Sequence, residues 1–373
     1  MVKTLNFIMR HLKLLLTILL VFMLVSGFTI WNVGKENTVI KTNFLLDTLI
    51  TVKVSGDDAQ QAIQASMDRI REIEQLMSAH EAKSEIVAVN QKAHLEPVEV
   101  SEETFKVMRQ GIYYGHITQG HFDITIKPIM KLWQFNSNKP TVPDQKKIDE
   151  VLTQIGYEHI FLDEANKTVT LALPNMGIDL GGIAKGYAGD EVVRILNEYG
   201  IDSAYADLGG DIVVVGQRKK EQNLWQSLRA KMSKGQTVVE AQDWRIGIQD
   251  PLRGRGLHMG VVQVSDASVV TSGPYERNFE YAGKAYHHIV NPYTGYPVKN
   301  GLISVTIVAK KCMDADALST GVFVMGEQSG LALIETLPEV EAITINDNKE
   351  VRITSGLRGK FTISNDQYRL LKQ

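Results

Sequence analysis

The feature that most constrains this chain of 373 residues is an uncharged apolar stretch near its start. Residues 14–33 read LLLTILLVFMLVSGFTIWNV, and Arg10, His11 and Lys13 stand just before them. About 20 such residues are enough to cross a bilayer as a helix, which satisfies its own backbone polar groups. Because a basic flank stays on the cytoplasmic side, the rest of the chain is expected outside the cytoplasmic membrane.

A cleaved signal peptide is the alternative to this anchor. Its apolar core is usually about 7–15 residues long and precedes a cleavage site of small residues. Val25-Ser26-Gly27 is a weak match to such a site, and no cysteine follows directly, which excludes a lipoprotein attachment. The sequence favours an uncleaved anchor, so residues 1–38 are predicted to be a membrane anchor or signal followed by a linker.

Composition narrows the classes of protein that residues 39–373 can form. The chain is 44% hydrophobic and 22% charged, which allows a large core, and its net charge of -3 does not indicate a nucleic-acid-binding surface. Its single cysteine, Cys312, excludes an internal disulfide and a cysteine metal cluster. Cys312 is expected to be a small buried hydrophobe near a strand end.

Periodicity predicts an α+β fold. Apolar residues at helical spacing predict helices over 58–79, from Ser101 to about Ile117, from near Lys185, and from Ala315 to about Met325. Strands and helices are interspersed without a regular βαβ rhythm, which favours α+β. Residues 217–243 interrupt them as a predicted surface insertion, with partner docking as the alternative. The predicted strands are 48–54, 204–206, 212–215, 244–248, 260–264, 285–290 and 304–309.

The stretch DLGGIAKGYAGD, residues 179–190, has the features of an anion site. Its paired glycines, Gly181 and Gly182, let the backbone approach a ligand, and Lys185 adds a positive charge to a helix N-terminus. The Walker pattern is not met, because Ile183 stands where that pattern needs lysine. The alternative is a glycine turn that only packs a helix onto a sheet.

Two further stretches carry carboxylates. In ADLGGD, Asp207 and Asp211 flank a glycine turn, so a turn with a capping aspartate ranks first and a ligand-positioning role second. In DADALST, Asp316 and Thr320 are four residues apart and share one helix face, where their oxygens suit a hard cation such as Mg²⁺. The alternative there is an aspartate favoured by the helix dipole and an incidental threonine.

The fourth stretch contains adjacent histidines in AYHHIVNPYTGYP. Strand geometry points successive side chains to opposite faces, so His287 and His288 are not expected to serve one metal site. One functional histidine with a structural neighbour is the better interpretation. An unperturbed imidazole titrates near ~6.5, which suits a general base.

Together, and in this order along the chain, the four stretches resemble the ApbE family of FAD:protein FMN transferases over residues 41 to 345. The resemblance implies an exported, T-fold-related α+β enzyme that binds Mg²⁺ and uses FAD as its substrate. It would move the FMN moiety onto a threonine or serine hydroxyl of an acceptor protein and release AMP. The implied acceptors are subunits of membrane redox complexes and extracellular flavoproteins.

The resemblance also assigns roles to residues. Asp316 and Thr320 match the side-chain Mg²⁺ ligands, Gly182 matches a backbone-carbonyl ligand, and His288 matches the catalytic histidine. The positions that match flavin-nucleotide contacts are Leu46, His80, His121, Phe122, Asp123, Asp179, Lys185 and Ile289.

Two of these positions depart from the family pattern. Leu46-Asp47-Thr48 stands where many members have Met-Gly-Thr, and His80 stands where many have an aromatic residue. The His80 departure keeps open an FAD pyrophosphatase that gives FMN and AMP. A non-catalytic, membrane-anchored flavin-binding protein is an alternative of a different class, against which Asp316, Thr320 and His288 argue.

Overall fold

The computed structural model describes residues 38–135, 137, 140–219 and 241–371. The predicted anchor and residues 220–240 of the predicted insertion lie outside these ranges. Within them, no helix has the length and apolar character needed to span a bilayer. The helices are α1 (Ala59–Met77), α2 (Glu85–Lys92), α3 (Glu102–Ile117), α4 (Lys127–Trp133), α5 (Gln145–Leu152), α6 (Ala184–Glu198), α7 (Cys312–Met325) and α8 (Glu327–Ile334).

The strands are numbered along the chain in the same way. They are β1 (Thr38–Leu45), β2 (Thr48–Ser55), β3 (Val98–Glu99), β4 (Ile160–Asp163), β5 (Thr168–Leu171), β6 (Ser203–Leu208), β7 (Asp211–Gly216), β8 (Arg218–Lys219), β9 (Ala241–Gln242), β10 (Trp244–Gln249), β11 (His258–Val264), β12 (Ala267–Ser272), β13 (Asn278–Tyr281), β14 (Lys284–His287), β15 (Leu302–Ala309), β16 (Val340–Asn346), β17 (Glu350–Ile353), β18 (Phe361–Ile363) and β19 (Arg369–Leu370).

A nine-stranded sheet organises the molecule, in the order β1-β2-β6-β7-β12-β15-β16-β17-β19. Neighbouring strands are antiparallel except for the last pair, β17 and β19, which is parallel. Alternation along each strand gives the sheet two apolar faces, as in β12, where Val269 and Val270 belong to different core clusters. The α+β class expected from the sequence is confirmed.

One face of the sheet is covered by helices α1, α6 and α7. The α1 stripe predicted from the sequence is buried at Ile63, Met67, Ile70 and Ile73, and it packs in one cluster with residues of the sheet. Recurrence every three or four residues places these side chains on one side of the helix, which explains the match.

The other face is covered by a three-stranded sheet, β10-β11-β18. Its Ile246, Ile248 and Val262 pack with Val214 and Val308 of the large sheet in a second core cluster. Strands β8 and β9 pair with each other at the two ends of the predicted insertion.

Two predicted boundaries are wrong by three residues, each because of a partner in another element. Helix α7 begins at Cys312 rather than Ala315, since the Asp190 carboxylate accepts the Cys312 N–H at 2.6 Å and the Met313 N–H at 3.2 Å. The strand predicted over 285–290 ends at His287, because its partner β13 begins only at Asn278, opposite that residue.

Candidate active site

The loop before α6 is shaped by its own aspartate. Asp179 Oδ1 accepts the Gly181 N–H at 2.8 Å, which folds the chain into a turn just before the helix. No side chain caps the helix at Ile183. The helix dipole favours an anion at such an end, where the Ala184 N–H is bonded to the Leu180 carbonyl and the Gly186 N–H to the Asp316 carboxylate.

Lys185, in the first turn of α6, lies between two buried carboxylates. Its Nζ is 2.7 Å from Asp211 Oδ2 and 4.0 Å from Asp316 Oδ1. Burial alone would lower the pKa of Lys185, but the charges of Asp211, Asp316 and Glu276 more than offset this and raise it. Lys185 is therefore a permanent cation.

Three carboxyl groups, those of Asp211, Asp316 and Glu276, surround the single ammonium group of Lys185. Burial raises the pKa of Asp316, and its repulsion with Asp211 adds to the rise while Lys185 opposes it. Burial likewise raises the pKa of Glu276, again against Lys185. Crowded carboxylates with a single ammonium make this point attractive to a further cation.

Oxygen donors for such a cation converge here. Asp316 Oδ2 accepts the Gly186 N–H at 2.9 Å, and Thr320 lies one helical turn further along α7. Thr320 Oγ1 is 3.4 Å from Ser272 Oγ, and a Cβ built on Gly182 would lie 3.8 Å from that same Oγ1. A carboxylate, a hydroxyl and a nearby backbone segment form a hard-oxygen set that fits Mg²⁺. Within the described residues, no group of three or more His, Cys, Asp or Glu side chains is placed to hold a metal ion, so a cation here would depend on the Thr320 hydroxyl and backbone oxygens beside Asp316.

The two adjacent histidines have different surroundings. His287 donates from Nε2 to the Val298 carbonyl at 2.9 Å and accepts the Ile289 N–H on Nδ1 at 3.3 Å, so both of its nitrogens serve the fold. His288 Nδ1 lies 3.2 Å from the Arg277 carbonyl, and donation there leaves Nε2 as an acceptor. The two histidines thus have different hydrogen-bond partners, and His288 lies just beyond the strand.

His288 belongs to the same electrostatic environment as Lys185. Desolvation lowers the pKa of His288 to about 4, and the charges of Arg277 and Lys185 act in the same direction. The value of ~6.5 expected for a free imidazole is therefore not kept, and the ring is neutral near pH 7.

The positions matched to flavin contacts have varied environments. Phe122 is buried, and its ring is 3.1 Å from a Cβ built on Gly182, at the cation site. Asp123 is also buried, and both of its oxygens accept hydrogen bonds from Thr125 and Tyr157.

The other matched positions differ in their local contacts and exposure. His121 Nδ1 lies 2.8 Å from the Thr118 carbonyl, and the Leu46 N–H donates to Glu74. His80 is exposed and Ile289 is buried. A contact between any of these residues and a flavin nucleotide stays a prediction.

Sequence reasoning ranked one site residue too low and missed another. Asp207 binds the N–H groups of Gly209 and Gly210, as a turn aspartate should, whereas Asp211 binds Lys185. The turn role predicted for ADLGGD is present on Asp207, whereas a ligand-positioning role for Asp211 stays a prediction. Glu276 was not singled out, because only its tertiary position beside Lys185 and Asp211 reveals it.

The candidate site, with a helix N-terminus, a lysine and hard oxygen donors, indicates a class of enzymes that act on phosphate groups. Comparison with known proteins agrees. Residues 46–344 match the ApbE family. An FAD:protein FMN transferase of Treponema pallidum is 33% identical over 327 residues, covering 85% of this chain and 87% of the relative. A second, of Klebsiella pneumoniae, is 29% identical and covers 88% and 95%.

Solved structures have the same fold. The ApbE protein of Thermotoga maritima superposes with a TM-score of 0.75 at 29% identity, covering 87% of this chain and 99% of that one. The flavin transferase ApbE of Vibrio cholerae gives a TM-score of 0.73 at 26% identity, covering 87% and 100%. The chain belongs to the ApbE family.

Proposed function

We propose that this FAD:protein FMN transferase is magnesium-dependent, modifies a threonine or serine hydroxyl of its acceptor protein, and releases AMP. The observation that carries the proposal is the convergence of Lys185, Asp316 and Thr320 at the α6 N-terminus, within electrostatic range of His288. A pyrophosphate needs positive charge, and a hydroxyl nucleophile needs a base. This one site supplies both.

Three groups would hold the metal: the Asp316 carboxylate, the Thr320 hydroxyl and the Gly182 carbonyl. When bound, Mg²⁺ would neutralise pyrophosphate oxygens and so stabilise the leaving phosphate. Lys185 contributes a fixed positive charge beside the same oxygens. Asp211 holds the Lys185 ammonium at 2.7 Å, which limits its movement toward Asp316.

His288 takes the proton in the transfer step. Its neutral ring accepts the hydroxyl proton on Nε2, and the acceptor oxygen forms a bond to the phosphorus on the FMN side. The bond from that phosphorus to the bridging oxygen breaks, and AMP leaves with the bridging oxygen. The negative charge of the pyrophosphate raises the pKa of the nearby imidazole, which makes it a better base once FAD is bound.

A labelling assay tests this proposal. Purified full-length chain is incubated with FAD, Mg²⁺ and candidate acceptors that contain an exposed threonine, and covalent flavin fluorescence and AMP are measured together. We expect equal amounts of labelled acceptor and AMP. Asp316→Asn should abolish both, whereas Asp314→Asn, two residues earlier on α7, should retain them.

The assay also separates the alternatives. AMP release that continues without any acceptor and without label would identify an FAD pyrophosphatase, in which water replaces the hydroxyl. Retention of intact FAD with no AMP would identify a flavin-binding protein. Either result would contradict the proposed transfer.

We also propose that the enzyme works on the outer side of the cytoplasmic membrane, anchored by residues 14–33. The uncharged run and its basic flank support this orientation. Its acceptors would then be membrane redox subunits or extracellular flavoproteins.

A further inference from the structure

The outer face of the β1–β2 hairpin is apolar and exposed. Phe44 is directly opposite Leu49, and Ile40 is opposite Lys53. The exposed fractions are 60% for Ile40, 68% for Phe44 and 54% for Leu49. Because these residues alternate with inward-facing ones, they form one strip along the hairpin, which we call the hairpin face.

The second layer of the molecule stops short of the hairpin face. Tyr205 of β6 meets Trp244 of the small sheet with ring centroids 6.2 Å apart. No residue of β1 or β2 belongs to the core cluster that this small sheet forms. The opposite side of β2 is buried against the helices at Ile50 and Val52. Among the residues that the structure describes, the hairpin is therefore covered on one side only, and β1 is also the edge strand of the sheet.

The position of the hairpin along the chain indicates what covers it. β1 begins at Thr38, only five residues after the apolar run ends at residue 33. Five residues span at most ~18 Å when fully extended. If residues 14–33 cross the bilayer, the hairpin face starts within that distance of the lipid headgroups.

From these observations we propose that the hairpin face rests on the lipid bilayer and inserts Ile40, Phe44 and Leu49 into its interfacial layer. This proposal rests on the anchor proposed above. The hairpin face carries Lys53 and no carboxylate among its β1 and β2 positions, which suits anionic lipids.

Because the tether is short, even a small apolar face is sufficient to keep the hairpin docked on the bilayer. Tethering turns docking into an intramolecular event with an effective concentration in the millimolar range. Burying three large apolar side chains at the interface then favours the docked state, although the same patch on a free protein would bind lipid weakly. The docked hairpin would fix the orientation of the enzyme on the membrane.

Depth-dependent quenching tests this proposal on the full-length chain in nanodiscs of phosphatidylcholine and phosphatidylglycerol. Cys312 is buried, so a fluorophore can be attached selectively at Thr42→Cys, in the middle of the hairpin face. Leu95→Cys provides the reference label, since that side chain is 77% exposed between α2 and β3. With brominated acyl chains, we expect at least twofold stronger quenching at residue 42 than at residue 95.

Substitutions make the test specific. The double variant Phe44→Ser/Leu49→Ser should lose the extra quenching at residue 42. Phe161→Ser, the same kind of change at a 57% exposed residue of β4, should keep it. Melting temperatures near that of the wild type for both variants show that the loss reflects docking and not unfolding.

Other outcomes would overturn the proposal. Equal quenching at both labels would exclude a docked hairpin. A fluorescence change that depends on the number of copies per disc, and not on bromination, would assign the hairpin face to a second copy of the chain. A change that depends on added acceptor protein, and not on bromination, would assign it to the acceptor. Failure to co-elute with the discs would reject the anchor and the docking together. FMN transfer, measured on the same samples, reports separately on the proposed chemistry.

Discussion

At the residue scale, the two aspartates of the β6–β7 turn have different partners. Asp207 holds the turn through two backbone N–H groups, and Asp211 holds Lys185 at 2.7 Å. Their four-residue separation in one motif gives a matched pair of substitutions. Each replaces a carboxylate by an amide of nearly the same shape.

We expect Asp211→Asn to weaken apparent Mg²⁺ affinity by about tenfold, the usual scale for removing a group that positions a metal site. Without Asp211, the Lys185 ammonium still has Asp316 within ion-pair distance and competes with the metal for it. Titration calorimetry with Mg²⁺ checks this. Asp207→Asn should lower the melting temperature and leave Mg²⁺ affinity unchanged. Equal affinity in the wild type and Asp211→Asn would contradict the positioning role.

The depressed pKa of His288 gives a second expectation at this scale. With a folded pKa of about 4, the base is neutral above about pH 5, so kcat/KM at saturating Mg²⁺ should fall only below that pH. A free imidazole would instead give a fall near ~6.5. His288→Ala should retain FAD binding and slow transfer by ~10²–10⁴-fold.

His287→Ala is the control for this experiment. It removes the hydrogen bonds to the Val298 carbonyl and the Ile289 N–H. We therefore expect a lower melting temperature and a transfer rate close to that of the wild type. Full activity in His288→Ala, or a pH limb near ~6.5, would remove the assignment of His288 as the base.

Which site residues the sequence can reveal depends on their spacing. Asp316 and Thr320 were predictable because a four-residue separation on one helix places them together. Strand alternation predicted that only one of His287 and His288 would serve the site, and the family resemblance assigned that role to His288. Glu276 and the Lys185–Asp211 pair were not predictable as a site, because they meet only through the packing of separate elements.

At the element scale, the contact between α6 and α7 fixes the site. A Cβ built on Gly186 would lie 2.5 Å from the Cys312 carbonyl oxygen and 2.6 Å from Met313 Cα, both backbone atoms. The same glycine donates its N–H to Asp316. Only a residue without a side chain allows the two helices to approach this closely.

Gly186→Ala should therefore push the helices apart and displace Asp316. We expect a loss of roughly 1–3 kcal/mol in the free energy of unfolding, the usual cost of overpacking, together with weaker Mg²⁺ binding. Denaturant unfolding and calorimetry check the two effects. Gly254→Ala is the matched control, because its added Cβ meets nothing within 4 Å. Wild-type stability and metal affinity in Gly186→Ala would refute the close-contact explanation.

The sequence predicted the presence of the helices better than the residues at which they begin and end. The apolar stripe of α1 and the Ser101 cap of α3 are local signals, and both helices are present as expected. The start of α7 depends on Asp190, which is 122 residues away from Cys312 in the chain. No local pattern carries that information.

At the scale of the whole molecule, sheet order brings the four motifs together. β6, β7, β12 and β15 are consecutive neighbours in the large sheet, although β12 and β15 are distant in sequence from the β6–β7 pair and from each other. The α+β class followed from the mixture of periodicities alone. The strand order did not, because antiparallel pairing between distant segments depends on tertiary packing.

The same scale applies to the orientation of the chain in the membrane. If residues 14–33 are an uncleaved anchor, the full-length protein should resist alkaline extraction from membranes. Protease added to spheroplasts should digest the domain while cytoplasmic marker proteins survive.

Replacing Lys3, Arg10 and Lys13 by glutamate removes the basic flank, and the domain should then become partly protected from the protease, because orientation follows lysine and arginine. A mature N-terminus close after Gly27 would show cleavage and contradict the anchor. Protection of the wild-type domain would contradict the outward orientation, and the enzyme would then meet cytoplasmic acceptors instead.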